Sequence, residues 1–354
     1  MTTIEAWNWI SQQLNIYCGL PMLVFGLVGC LWNILVFRHY SLRRISCCTY
    51  LLAGSIASIV QLLVGLVTRI LADGFHIDRT MTNAVWCKLR NYTVHCASLM
   101  TLSCLVWATL DRFLSTRRQL KWRYLNSVYL ARQICLWTLI VWMSATIPSL
   151  LYSRPIQIAS TAHRCTSSSW LWSKIVLYFF NLCCYGLLPW FFMGLFGYLT
   201  LRRVRQTSRC RIQPLPAVTW TRLTRIEKQL TFVLFLQMIT CILSSIPYLV
   251  QSIYESATES LAKSLSRQAQ EHFFLQIARL TFYINFVFMF YINYIFSSIL
   301  RRLSNKVLIN LFKEKMYVSR ETTIINHPRH TRSQSMPRHC TVSTIPVPFS
   351  TTVV

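Results

Sequence analysis

CKLRNYTVHCASLMTLSCLVWATLDRF, residues 87–113, sets a cysteine at one end of a mostly apolar stretch and the triplet Asp111-Arg112-Phe113 at the other. On a helix, the 25 positions from Cys87 to Arg112 cover about 37 Å, enough to cross a bilayer core and its edges. Charge in or near hydrocarbon is costly, so an acid and an arginine side by side at that depth call for a functional reason.

The rest of the chain reads the same way. Its 354 residues are 54% hydrophobic and 13% charged, too apolar for a soluble globule. The apolar residues gather into seven runs, at about Tyr17–Phe37, Cys48–Leu71, Cys87–Val106 continuing to Asp111, Ile134–Tyr152, Ile175–Thr200, Leu230–Val250 and Phe274–Leu300, with charge kept to the joins. The expected fold class is an all-α membrane protein, a seven-transmembrane helix bundle. Residues 1–16 are expected as an extracellular N-terminus, 17–300 as the seven-span domain, 301–316 as an amphipathic helix on the membrane surface and 317–354 as a disordered cytoplasmic tail. Pro189 and Pro247 fall inside runs five and six, where neighbouring helices can satisfy the freed carbonyls. No carboxylate lies deep within a run, Arg69 and Arg279 fall near outer ends, and His95 is the titratable group well inside.

Lysine and arginine set an orientation. Of 36 basic residues, 26 lie on the Arg112 side with four acids, and ten lie on the other side with six acids. The positive-inside rule makes the Arg112 side cytoplasmic and the N-terminus extracellular. A formal charge of +26 could signal nucleic acid, but here it lines a membrane face, and anionic lipid is the nearer partner. The first 16 residues lack a basic leader and an apolar core, so the first span is expected to act as its own insertion signal.

Fourteen cysteines look like a disulfide framework until they are sorted by depth. Most lie inside runs, where a thiol is a small apolar group, and Cys47, Cys48, Cys210 and Cys340 sit at or beyond the reducing face. Cys87, Cys165 and, at its edge, Cys18 remain on the oxidising side. A Cys87–Cys165 bond would pin the loop between helices four and five across the bundle, and two free thiols are the alternative.

Asn33, Cys87, Asp111-Arg112-Phe113, Trp137, Cys165, Pro189 and Pro247, one set per expected segment, resemble the rhodopsin-like (class A) G-protein-coupled receptors over nearly the whole chain. LPWFFMGLFG at 188–197 and LTF at 230–232 are similar to invertebrate neuropeptide (FMRFamide-type) receptors. The resemblance implies a plasma-membrane receptor that activates a heterotrimeric G protein when helix six moves. It makes Asn33, Trp137, Pro189 and Pro247 helix-packing positions. It also implies a switch of Asp111, Arg112, Phe113, Glu227 and Tyr294, with Arg112 held by Asp111 and, at rest, by Glu227. Glu227 lies 20 residues before Pro247, about 30 Å along a helix and at the depth of Arg112. The alternative for Glu227 is a solvated charge beside Lys228. The chain departs from the family pattern at Ile56, where a sodium-binding aspartate is usual. It departs again in Ser244-Ser245-Ile246-Pro247, which lacks a tryptophan, and in Phe290-Tyr291-Ile292-Asn293-Tyr294, which lacks the Asn-Pro pair.

Val94 stands where amine receptors carry an aspartate, which argues against an amine ligand. Aromatics toward the outer ends, with Glu255, Glu259 and Glu271 nearby, suit an amidated basic–aromatic peptide; the pocket is expected at Tyr92, Val94, His95, Tyr178, Tyr248 and Gln251. For any single aromatic the alternative is an interfacial belt, and for His95 it is packing against a neighbouring helix. Asn91-Tyr92-Thr93 matches a glycosylation sequon but should lie within the helix, unmodified. Beyond helix seven, Ile299, Leu300, Leu303, Val307, Leu311 and Phe312 recur at helical spacing, with Arg301, Arg302, Lys306 and Lys313 on other faces. In the tail, Ser333 and Ser335 follow arginines and are kinase candidates that could recruit arrestin, and Thr352-Val353-Val354 fits a PDZ-domain ligand. No enzyme constellation, cofactor site or metal site is visible. The competing readings are a chemosensory receptor for a small molecule and a seven-span transporter or channel, which would need an ionisable group near midplane.

Overall fold

The computed structural model describes residues 3–77, 83–115, 126–159, 162–209, 218–258, 261 and 263–309, with backbone alone at 156–159, 162–164, 166, 201, 204–209 and 218–228. Ser333, Ser335, Thr352, Val354 and the side chain of Glu227 therefore lie outside the described residues.

Seven helices are long and apolar enough to cross a membrane. They are α1 (Thr3–Arg38), α2 (Ser46–Gly74), α3 (Ala84–Ser115), α4 (Val128–Tyr152), α5 (Trp170–Thr200, helical on to Arg209), α6 (Val218–Ala257) and α7 (Leu265–Phe296). The chain is a multi-pass, all-α bundle, as hydrocarbon requires of a backbone that must satisfy its own polar groups. A short helix α8 (298–309) follows a break at Ser297, whose hydroxyl accepts from the Leu300 amide at 3.2 Å.

On the disulfide side, α1 and α7 begin well before their apolar runs. α1 starts at Thr3, and its early turns pack on the ends of two other helices. Gln12 Nε2 donates to the Gly74 carbonyl at 2.9 Å, the Trp7 ring lies 5.2 Å from Phe273, and Ser11 and Asn15 are buried. α7 starts at Leu265, where Ser264 Oγ accepts from the Arg267 amide. Hydropathy marks lipid contact and misses these turns, whose neighbours are protein.

Between α4 and α5 runs an antiparallel hairpin, β1 (Ser153–Ala159) and β2 (Ala162–Ser167), with Pro155 opposite Cys165. Cys87 and Cys165 form a disulfide, so the hairpin is tied to the first turn of α3.

Side chains pack in two layers. Toward the disulfide end, Leu62, Leu66, Leu99, Trp172, Phe180 and Phe286 form one core; toward the Arg112 end, Phe37, Leu51, Leu105, Met193, Leu234 and Leu300 form the other. α4 is peripheral, for Ala131 alone is buried in Val128–Ala145. In α5 the turns from Val176 to Leu187 widen to π-helical geometry just ahead of buried Pro189. A proline has no amide to give the preceding turn, and a wider turn there accommodates the loss. Gly186, at the end of the wide segment, lets α6 come close, because a Cβ there would stand 2.5 Å from Leu249 Cδ1.

Candidate functional site

The two ends of the bundle differ in kind. At one end Asp111 and Arg112 are 4% and 2% exposed, and Arg112 Nη2 donates to Asp111 Oδ2 at 2.7 Å. The acid is also held from α2, where Ser46 Oγ donates to Oδ1 at 2.5 Å. Asn126, just before α4, completes the shell. With its amide nitrogen turned to the carboxylate it donates to both Asp111 oxygens, at 2.5 and 3.2 Å, and to Ser46 Oγ. Donors from three sides hold this carboxylate in place, and it in turn fixes its arginine neighbour. Phe113 stacks on Phe196 of α5 at 5.8 Å, with Arg203 5.9 Å from its ring centre. Only about 10 Å³ of open space adjoins Arg112, among Thr109, Thr200, Thr231 and Met238. This end is shut.

Two amides of α6, neither singled out from the sequence, reinforce the closure. Gln229 Nε2 donates to Ser298 Oγ at 2.8 Å, and its Oε1 accepts from Ser297 Oγ at 3.2 Å and the Ile299 amide at 3.1 Å. It thus clamps the α7–α8 break. Eight residues along, on the same face, Gln237 Nε2 donates to Asn293 Oδ1 at 2.9 Å, and Asn293 Nδ2 donates to Asn33 Oδ1 at 3.2 Å. Asn33 is thereby a buried link between α1 and α7. The sequence signal was uncharged amides inside apolar runs, which a search for charge passes over. Tyr294 points to α8 instead, 3.5 Å from Asn305 Oδ1 and stacked near Phe290.

The other packing positions divide. Pro189 is buried, and Pro247 sits inside α6 with Ser245 below it, where the Ser245 hydroxyl bonds the Cys241 carbonyl at 2.6 Å and receives Trp190 Nε1 at 3.2 Å. Trp137, expected to pack, faces outward at 64% exposure. The indole that reaches α3 from that helix is Trp142, bonded to Ser103 at 2.8 Å.

The disulfide end is open. A cavity of about 650 Å³ lies between α5, α6 and α7. Of the six expected pocket residues, Tyr248 lines it. His95 instead bonds Tyr185 Oη at 2.7 Å between α3 and α5, and Tyr178 is 56% exposed. Tyr92, Val94 and Gln251 are half-buried away from it. Asn91 lies within α3, 3.2 Å from Ser153 Oγ. Its walls mix charged and polar side chains with Val176, Leu177, Leu261 and Leu275, and Tyr248 is the Phe, Tyr or Trp among them. A network closes the turn from α6 to α7 beside it. Lys263 Nζ and Arg267 Nε donate to Glu271 at 2.5 and 3.1 Å, and Tyr254 Oη donates to it at 2.9 Å. No group of three or more His, Cys, Asp or Glu able to hold a metal occurs among the described residues.

Compared with known proteins, the chain matches no family model and no curated protein.

Proposed function

We propose that this protein is a plasma-membrane receptor that takes a peptide or small-molecule ligand at its disulfide end and activates a heterotrimeric G protein at its Arg112 end. The observation that carries the reading is the asymmetry of the bundle. A cavity large enough for a ligand opens between α5, α6 and α7, and α6 runs on to the Arg112 end, where Gln229 clamps the start of α8 to α7. One helix therefore joins the two sites. A ligand that binds better to a form with α6 displaced shifts the protein toward it, and nothing else is needed for the signal to cross the membrane. The excess of lysine and arginine on the Arg112 side supports placing that side in the cytoplasm. A carrier would need an ionisable path through the middle, and the buried carboxylate among the described residues is Asp111, at one end.

The test is G-protein activation in cells expressing the chain, challenged with a neuropeptide library beside an Arg112→Ala control of equal surface expression. A response lost in the control is the expected result. Solute flux or current without any G protein would overturn it in favour of a transporter or channel.

A further inference from the structure

On the outside of the bundle, at its Arg112 end, three separate segments each bring an arginine to one cavity. Arg38 is the last residue of α1. The turn after it is pinned by Leu42, which is buried, and by the His39 carbonyl, which accepts from the Leu42 and Arg43 amides at 3.0 and 3.1 Å. With Leu42 turned inward, Arg43 stands exposed beside it. In α4, Arg132 follows Ala131, whose side is the one that packs on the bundle, and it is exposed as well. The three arginines line a cavity of about 300 Å³ whose other walls are Phe37, Cys48, Thr49 and Leu52.

The charge of this cavity has one sign. Among the described residues, none that lines it is acidic, and none of the three arginines makes an ion pair or a side-chain hydrogen bond. The segments that build it contain no carboxylate, for the chain has none at 6–72 or at 112–226. Asp111, the buried acid of that end, is held by Arg112, Ser46 and Asn126.

The apolar part of the lining continues along the outer surface. α2 carries Leu52, Ile56 and Val60 at spacings of four, and α4 carries Arg132, Leu136 and Ile140 in the same way. Each set therefore makes a stripe on one helix face. Ile56, Val60, Leu136 and Ile140 are exposed, and both stripes lead from the cavity toward the middle of the bundle. A soluble anion would use the arginines and leave the stripes idle. A phospholipid uses both, with its headgroup at the membrane edge and its chains on the apolar stripes. Guanidinium groups bind phosphate oxygens in pairs. A phosphodiester with one added phosphomonoester carries roughly three negative charges near neutral pH, which matches three arginines. The Thr49 hydroxyl adds a neutral donor.

We propose that this cavity seats an anionic phospholipid whose headgroup bears a phosphomonoester, held by Arg38, Arg43 and Arg132, with its chains along Ile56 and Leu136. The occupant ties the turn between α1 and α2 to α4 from outside. Ser46 and Asn126, which hold Asp111 from within, stand at the starts of α2 and α4, so a bound lipid braces the Asp111 shell. Binding here needs neither the cavity at the disulfide end nor a G protein.

Dioctanoyl lipids titrated onto the purified full chain in detergent, with Tm as the readout, test it. The probes are phosphatidylcholine, phosphatidylserine, phosphatidic acid, a phosphatidylinositol monophosphate and the chain-free inositol bisphosphate headgroup. The two lipids with a phosphomonoester should raise Tm at lower concentration than phosphatidylserine does, and phosphatidylcholine should not raise it. The free headgroup should bind far more weakly than its lipid. Arg43→Gln and Arg132→Gln should each weaken the phosphomonoester lipids about fivefold, and both together with Arg38→Gln about a hundredfold. Arg132→Lys should retain part of the affinity that Arg132→Gln loses. All three side chains are exposed, so the lipid-free Tm should stay unchanged; should the triple variant not fold, the single variants still decide. Arg301→Gln with Arg302→Gln, on α8 at the same end of the bundle, should leave the affinity unchanged. No response to any lipid, an equal response to phosphatidylserine or equal binding of the free headgroup would each overturn the proposal. A loss from the α8 pair as large as that from Arg43 and Arg132 would also overturn it, in favour of diffuse attraction to a basic face.

Discussion

The Arg112 end and the disulfide end are built from the same helices with opposite use of polarity. At the Arg112 end, polar groups face one another. Asp111 is shared among Arg112, Ser46 and Asn126, and α6 is fastened by Gln229 and Gln237. At the disulfide end, polar groups face a space, and the covalent and ionic links, Cys87–Cys165 and Lys263–Glu271–Arg267, lie around it. The first arrangement fixes α3 to α2 and α6 to α7. The second holds a cavity open while leaving its walls available to something else. The contrast shows that one set of helices can turn its polar groups against one another at one end and around a space at the other.

The contrast can be broken most decisively at Asp111. Asp111→Ala leaves the Arg112 guanidinium buried without its adjacent acid, which costs about 3–5 kcal/mol for a broken buried pair. A fall in Tm of several degrees in detergent is expected, and an unchanged Tm would mean that the ion pair does not close that end. Next in size is Cys165→Ser. Freeing a link across 78 residues costs about 2–4 kcal/mol, and the loss should be matched by reductant on the wild-type chain. If reductant lowers Tm and the variant does not, another thiol is responsible. Gln237→Leu should cost about 1–3 kcal/mol, because Asn293 loses a buried donor. It should also raise ligand-independent G-protein activity, and a stable variant with ordinary basal activity would detach the amide from the switch. The smallest effect is expected from Arg267→Gln at the exposed rim, where surface ion pairs contribute little. No measurable change in Tm is expected, and a clear fall would show the rim to be more rigid than its exposure indicates.

How much of this was legible in the sequence depends on what each feature touches. The seven runs were, because lipid contact demands contiguous apolar residues, and the structure has seven membrane-length helices. Thr3 to Asn15 was not, since its helical turns rest on Gly74 and Phe273 and carry no lipid signal. The hairpin around Cys165 was also missed, being a short pairing with Pro155 in one strand and no strong alternation. Asp111 and Arg112 announce themselves by charge, whereas Gln229, Gln237 and Asn293 differ from their neighbours only by an amide. Trp137 was read by position, yet Trp142 holds the bond to α3, because the face that α4 turns inward is fixed by packing. The lining of the cavity, Tyr248 apart, was not singled out from the sequence as the pocket. Part of it, Ser252, Glu255, Gln268 and Glu271, stands on turns of α6 and α7 beyond their apolar runs, and run boundaries contain no information about those turns.

The two rungs on α6 have a mechanical consequence. Gln229 lies 18 residues below Pro247 and Gln237 lies ten below it, so their lever arms about that proline are about 27 and 15 Å. A tilt of about 2° would carry the lower rung about 0.9 Å and the upper one about 0.5 Å, and a hydrogen bond fails beyond about 3.5 Å. The clamp on α7 and α8 therefore parts first, with the Asn293 bond stretched but still able to pull the helix back. Opening of such a helix is spring-loaded in its first stage and becomes free only in its second.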